Sequence, residues 1–535
     1  MLKHILFFAF LIISGFAQAQ QNRYMVFFSD KANTHHQINE PLSFLSAKAI
    51  ERRQKQSISI TVDDLPVSQA YVQSIKQLGV DVFFTSRWFN AALIQAEADQ
   101  LTDIQNLAFV SQIEFVAPGE RLIRNGRKKL EEDVEDTDLG TTSAKQLIQL
   151  GMGEMHADQY KGEGVNIAVI DGGFLGVDQH EYFALMRDQG RLKDTFNFVS
   201  NTNNPFSASQ HGSMVLSAMA AYKSSDFIGG AYMANYYLYL TEDAPTEYRV
   251  EEYNWLFAAE RADSAGVDII NTSLGYSWFD DSSMDYTPAD MDGQTAVISI
   301  AAKMAFDRGM LVVTSAGNYG NNNWQVITAP ADVEEVIAVG AVTDTGLRAA
   351  FSSKGPSADN RIKPDMMAMG LGAAVITSSG QKASVSGTSL SSPLLASLAA
   401  GIWQAYPMLS NYELREALIK SSDRADNPDN LYGYGIPNYQ RAMDFIREKY
   451  TQKLWHIYPN PSDGREVYIR TLTDINSQVN LQVINTAGQT VRSYRFSTAN
   501  YYGRFTLELT DLQKGMYIFR FTSNEGVQSI RWIKN

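Results

Sequence analysis

Apolar positions along this chain change their spacing several times, and each change marks a different kind of element. Ahead of residue 118, the runs "YMVFFS", "VDVFFTSRW", "NAALIQAEA" and "VSQIEFV" are strand-like. "VSQAYVQSIKQLG" and "DQLTDIQNL" carry the wider spacing of amphipathic helices. The order strand-helix-strand-strand-helix-strand predicts a ferredoxin-like α+β domain over residues 20–117. An additional basic helix, "SAKAIERRQKQ", reads as a solvated face, because long charged side chains ordinarily stay in water.

Beyond residue 141 the pattern becomes continuous apolar strands alternating with helical stretches, as a parallel sheet covered on both faces requires. The clearest strands are "VNIAVID", "VDIINTSLG", "MLVVTSAGN", "VIAVGAVT" and "AAVITSS". Each ends in small or polar residues, at the carboxyl edge where open α/β sheets place their sites. This domain is expected over residues 141–447. Residues 455–535 switch again: "VNLQVINTAGQTVRSYRF" is strand–turn–strand, and glycine turns separate the strands that follow. That spacing predicts a small β-sandwich.

Two segments break the alternation. Residues 118–140 hold Arg121, Arg124, Arg127, Lys128 and Lys129, then Glu131, Glu132, Asp133, Glu135, Asp136 and Asp138; such a block is expected to be an exposed linker, open to cleavage. At the start, Lys3, the apolar run from Ile5 to Ile13 and the small-x-small triplet Ala17-Gln18-Ala19 describe a secretory signal peptide over residues 1–19. No second apolar run has membrane length, so no transmembrane segment is expected in the mature chain.

A length of 535 residues suggests three or four domains. The balance of 45 basic against 59 acidic residues gives a net charge of −14, which argues against a nucleic-acid partner. With no cysteine, disulfides, thiolate zinc sites and cysteine nucleophiles are excluded, so a large core must supply the stability.

The candidate chemistry starts at "VSGTSLSSP", residues 385–393, just ahead of "LLASLAAGIWQAY". Ser389 has two readings there: a helix cap, or a nucleophile at a helix N-terminus whose N–H groups face a developing oxyanion. A serine nucleophile needs a base. Of seven histidines, His211 in "QHGSMVLSAMAA" opens a small-residue helix, with Gly212 allowing close backbone approach. His156 and His180 sit in ordinary helical surroundings, and His180-Glu181 lacks the second histidine of a zinc-protease helix. Asp171 ends the strand "VNIAVID" and could orient an imidazole; Asn318 in "SAGN" could donate to an oxyanion. Taken singly, Asp171 also reads as a loop-starting residue and Asn318 as a turn asparagine.

The order Asp, His, Asn, Ser removes much of that ambiguity. Residues 141–447 resemble the subtilase family of serine endopeptidases: "VIDGG" resembles its Asp motif, "HGSMV" its His motif, "SAGN" its oxyanion asparagine and "GTSLSSP" its Ser motif. "NTSLG", residues 271–275, is similar to the strand that lines the substrate cleft, which implies peptide-backbone contacts at Ser273, Leu274 and Gly275. Gly172 stands where the family usually has Thr or Ser, Ser213 where it has Thr, and Ser391 where it often has Ala. None of these departures removes a proton-transfer group. Tyr276 and Trp278 stand in place of smaller residues.

The resemblance implies a subtilisin-like α/β fold and hydrolysis of peptide and protein substrates without a cofactor. Structural calcium is conceivable at acidic residues such as Asp178 and Asp226, although no spaced oxygen-ligand loop is present. Residues 21–117 are similar in layout to the subtilase propeptide, which assists folding and blocks the cleft. "IYPNPSDG" and the ending "GMYIFRFTSNEGVQSIRWIKN" resemble the C-terminal sorting domain of the type IX secretion system of Bacteroidota. That implies export through periplasm and outer membrane, to the medium or the cell surface, with the secretion machinery as partner. The rival function is an adhesin whose protease-like domain has lost activity. A dinucleotide-binding domain fits poorly, because no G-x-G-x-x-G run follows the first strand.

Overall fold

The computed structural model describes residues 21–119, 134–135, 143–450, 455–465, 467–471, 478–497, 504–524 and 526–535. The expected signal peptide and most of the charged linker fall outside the described residues.

Buried strands without alternation form the centre of the molecule. Seven parallel strands lie in the order Met366–Met369, Ile337–Val342, Leu311–Ser315, Ile269–Thr272, Asn166–Asp171, Asn235–Leu240 and Leu192–Asn197. Every residue of Asn166–Asp171 is buried, because both faces of its sheet are covered. Ile167 and Val169 pack with the helices His211–Ala220 and Thr388–Ala405, whereas Ala168 and Ile170 pack with Val250–Ala265 and Val297–Asp307. That division follows the two-residue period of a strand. The architecture is the subtilisin-like α/β fold.

Two details differ from the sequence reading. "AAVITSS" does not join the parallel sheet: Ala373–Ile376 pairs antiparallel with Lys382–Val385 as a separate hairpin. A short apolar run does not reveal its partner, and here the partner is the next strand along the chain. Leu192–Asn197, Asn235–Leu240 and Met366–Met369, which the pattern did not single out, complete the sheet. The first is an edge strand, half-exposed and polar at four of its six positions, so its apolar signal is weak.

In the N-terminal domain the strands Asp81–Ser86, Ala91–Ala96, Asn22–Phe28 and Val110–Pro118 form one antiparallel sheet in that order. One face holds the domain's own core, including Val26, Val72, Ile75, Ile94 and Ile104. The other face carries Met25, Trp88, Leu93 and Val116 into the apolar layer that covers Val250–Ala265.

The basic helix is the main correction. Ala47–Lys55 does not present a solvated face: Arg52 and Arg53 are buried, at 3% and 1% exposure. Arg53 reaches Asp263 at 2.7 Å and Asp64 at 2.8 Å; Arg52 and Arg87 also pair with Asp263. Arg308 returns the contact from the other side, to Asp64 at 3.0 Å, with its guanidinium over the Trp88 ring. Glu260 accepts from the backbone N–H groups of Arg87 at 2.9 Å and Trp88 at 3.1 Å. Burial alone would push the Asp263 carboxyl up, but the guanidiniums of Arg87, Arg53 and Arg52 outweigh it and hold the group far below the usual carboxylate range. Buried charge survives here because Asp263 and Asp64 each meet several cations, while Glu260 is held by backbone N–H groups and the Ser86 hydroxyl.

The C-terminal strands form two sheets, one from Trp455–Tyr458, Val467–Thr471 and Arg504–Leu507, the other from Thr490–Ser497, Gln478–Asn485, Gly515–Ser523 and Gly526–Lys534. They enclose one core that includes Trp455, Val479, Phe519, Phe521 and Trp532. Met408 packs with Tyr458 and Tyr468 where this sandwich meets the central body. Among the described residues no helix is long and apolar enough to cross a membrane.

Candidate active site

Three backbone ends converge at the carboxyl edge of the parallel sheet. Asp171 is the last residue of Asn166–Asp171 and is fully buried. His211 is the first residue of the helix His211–Ala220, and its Nδ1 lies 2.6 Å from Asp171 Oδ1. The small residue at 212 permits this approach: a Cβ there would sit 2.5 Å from Gly173 O and 2.9 Å from Asp171 Cβ. Ser209 Oγ accepts from the His211 N–H at 3.0 Å, which fixes the helix start.

The imidazole's tautomer follows from that contact. An ionised carboxylate only accepts, so the neutral ring carries its proton on Nδ1 and leaves Nε2 as an acceptor. Burial raises the Asp171 carboxyl above the usual range, while His211 and the Gly172 N–H, 2.7 Å from Oδ1, pull it back. Asp171 Oδ2 has no hydrogen-bond partner among the described residues.

Ser389 is the second residue of the helix Thr388–Ala405 and is 5% exposed. It does not cap that helix: the N-cap is Gly387, and no side-chain cap is present. Its N–H belongs to the first turn, where no intrahelical acceptor exists. Ser273 Oγ donates to Ser389 O at 2.8 Å and so ties the helix start to the segment after Ile269–Thr272.

Asn318 follows the strand Leu311–Ser315 and is half-buried. Its Oδ1 accepts from Thr388 N at 2.9 Å and from Thr388 Oγ1 at 2.8 Å. A backbone N–H can only donate, so the amide orientation is fixed and Nδ2 remains a donor. Thr388 Oγ1 also accepts from the Gly317 N–H at 3.2 Å, which locks the two segments together. The sequence reading overlooked Thr388, although it stands in "GTSLSSP" beside the serine. It also missed Ser392, whose Oγ donates to Asn271 Oδ1 at 2.8 Å.

The segment 273–275 leaves the sheet beside this centre. Ser273 is buried, Leu274 half-buried and Gly275 exposed. A Cβ on Gly275 would lie 2.3 Å from Thr328 Oγ1, so bare backbone is required there. Tyr276 N–H then donates to Ala329 O at 3.0 Å, and the Tyr276 hydroxyl donates to Glu242. Among the described residues one group of carboxylates, Glu242, Glu247 and Glu251, brings its oxygens within 4.8 Å of one another. Asp226 is engaged by Lys382 at 2.7 Å and by the Tyr182 hydroxyl at 2.6 Å, and Asp178 is exposed.

Comparison with known proteins supplies independent findings. The Subtilase family matches residues 162–435. A Bacteroidota peptidase S8 propeptide domain matches residues 23–133, and a secretion system C-terminal sorting domain matches residues 456–535. Subtilisin DY of Bacillus licheniformis is 30% identical over 291 residues, covering 54% of this chain and 94% of its own. Subtilisin E of Bacillus subtilis is 29% identical over 300 residues, covering 55% and 70% respectively. Serine protease AprX of the same species is 27% identical over 338 residues, covering 58% and 71%.

Proposed function

The chain belongs to the subtilase family of serine endopeptidases, and on that premise we propose that Asp171, His211 and Ser389 carry its peptide-bond hydrolysis. It is a serine-type hydrolase with a propeptide domain and a type IX sorting domain, exported to the medium or the cell surface. The observation that carries the residue assignment is the 2.6 Å contact between His211 Nδ1 and Asp171 Oδ1, made between a strand end and a helix start 40 residues apart.

His211 Nε2 takes the Ser389 hydroxyl proton as Oγ attacks the scissile carbonyl carbon. Asp171 holds the ring in the required tautomer and stabilises the imidazolium that forms. The oxyanion receives hydrogen bonds from Asn318 Nδ2 and the Ser389 N–H, both held in place before substrate arrives by Thr388 and the helix start. His211 then protonates the leaving amine, and water, activated by the same imidazole, releases the acyl group. Side chains and water suffice for these steps. The exposed backbone at Gly275, continuing Ser273 and Leu274, offers an edge on which the substrate's extended backbone pairs. The sorting domain addresses the chain to the type IX machinery.

Ser389→Ala tests the assignment. The variant is expected to fold, to fail to react with a fluorophosphonate probe, and to hydrolyse no peptide above background. Wild-type rates from this variant would end the triad reading. Failure of the wild-type protein to label would favour the adhesin reading.

A further inference from the structure

Two glycines beside Asn318 face a threonine that no step above uses. The segments 273–275 and 316–318 run on from adjacent parallel strands, in which Thr272 stands opposite Thr314. Ser315 Oγ donates to Leu274 O at 3.4 Å and keeps the two segments side by side. At the centre of the slot between them, neither segment carries a side chain. Gly275 is exposed, and Gly317 has a φ of +103°, which other residues rarely adopt.

Thr328 closes one end of that slot. Its N–H donates to Ala316 O at 3.3 Å, while Ala329 O accepts from Tyr276 N–H, so residues 328–329 tie both segments together. The Thr328 hydroxyl lies where the two glycine Cβ directions converge: a Cβ would stand 2.3 Å from Oγ1 at Gly275 and 3.1 Å from it at Gly317. A single carbon on either wall already meets Thr328, so the slot is shallow. The floor cannot withdraw, because Trp324 Nε1 donates to Ile327 O at 3.1 Å and the Trp324 ring packs edge-on against Trp278. Thr328 is fully buried, yet its Oγ1 has no hydrogen-bond partner among the described residues. A buried hydroxyl left unpaired is costly, and an arriving polar group that reaches it removes that cost.

We propose that Thr328 determines which peptide bonds are cut: the residue whose carbonyl Ser389 attacks places its side chain between Gly275 and Gly317, and Thr328 admits only small side chains there, alanine and above all serine, whose hydroxyl pairs with Oγ1. The inference rests on the triad reading above and deepens it. With the carbonyl between Ser389 and Asn318, and the preceding backbone along 273–275, that side chain has the two bare walls on either side. A leucine or phenylalanine needs the space that the hydroxyl and methyl of Thr328 fill, and one methylene too many costs about 10–200-fold.

The test uses active protein prepared from the full chain and peptide p-nitroanilides that differ only in the residue before the cleaved bond. In kcat/KM, serine is expected about threefold above alanine, and alanine at least about tenfold above leucine and phenylalanine. Thr328→Gly should raise leucine and phenylalanine at least about tenfold while alanine stays within a factor of about three. Thr328→Val should keep the size limit but bring serine level with alanine, since valine fills the space without a hydroxyl. The wild-type ranking requires no variant to fold. Leucine or phenylalanine cleaved faster than alanine by that protein overturns the inference and leaves the triad standing. An unchanged ranking in folded Thr328→Gly overturns it as well, and a serine lead that survives in Thr328→Val removes the role of Oγ1. A wild-type protein that cleaves none of these substrates and does not react with a fluorophosphonate overturns the triad reading, and this inference with it.

Discussion

Gly172 follows the buried aspartate with no side chain to offer, and the neighbouring Asp171 Oδ2 lacks a partner among the described residues. A Cβ at 172 would meet only ordinary contacts, 3.7 Å from Glu242 Cβ and Ser209 Cβ. Gly172→Ser therefore has room for a hydroxyl that can donate to Asp171, and it also lowers the entropy of the unfolded chain. In a Ser389→Ala background, which prevents self-digestion, the substitution should stabilise the protein by about 1 kcal/mol at pH 7. Part of the gain should vanish in acid, where Asp171 is protonated. Thermal melts at both pH values check this, and a loss of stability at pH 7 would mean the hydroxyl finds no partner. At this scale the sequence was informative: Asp171, His211, Asn318 and Ser389 stand at element ends, where motif and secondary structure coincide. Thr388 was harder to read, because its role is a hydrogen bond to a residue 70 positions away. Nothing in "GTS" distinguishes a clamp from a helix start.

Among the helices, Val250–Ala265 does two opposed things with buried acid. Near its start Glu252 is fully buried, accepts from the Tyr286 hydroxyl at 2.9 Å and Ile298 N at 3.1 Å, and is pushed up to about 7, mainly by desolvation. Its folded value lies above the ordinary 4.5, so the folded state holds the proton more tightly than the unfolded one. Stability from this group is present below pH 4.5 and is lost as pH rises through about 7. The loss amounts to about 3 kcal/mol. Glu252→Gln should therefore gain in melting temperature, relative to the parent, between pH 5 and pH 8; a constant offset would show that Glu252 does not titrate there. Near the helix end Asp263 has the reverse sign. Its depressed value gives stability that is present above the ordinary 3.8 and lost only as pH falls far below it. Mild acid should not undock the N-terminal domain. Asp263→Asn leaves buried guanidiniums uncompensated, at a cost of about 3–5 kcal/mol. Inhibition of the mature enzyme by a separately added N-terminal domain should then weaken by a factor on the order of 10²–10⁴. Unchanged inhibition would assign the docking to the apolar face alone. "SAKAIERRQKQ" hid this role because the partner of Arg52 and Arg53 lies some 210 residues downstream.

For the whole molecule, the layer order was legible because each domain has its own hydrophobic period, whereas the faces between domains have none. The C-terminal sandwich illustrates the consequence: its core of Trp455, Phe519 and Trp532 is internal, and Met408 against Tyr458 and Tyr468 is an apolar contact with the central body among the described residues. A chain ending near Lys453 should fold and cleave peptides yet remain in the periplasm of its host. Cell fractionation with a peptide-cleavage assay checks both halves; export of the shortened chain would remove the sorting role, and loss of activity in the purified chain would remove the sandwich's independence. The docked N-terminal domain has a different fate. While the linker is intact, Arg52, Arg53 and Arg87 meet Asp263 at a fixed local concentration that no dilution can change. Once a single bond in the linker is hydrolysed, the same contacts become those of a two-molecule complex, and occupancy follows the volume available. A small volume then favours the complex, and a large one favours its separation. If the docked domain blocks the cleft, passage through the outer membrane would itself supply the dilution that relieves the block.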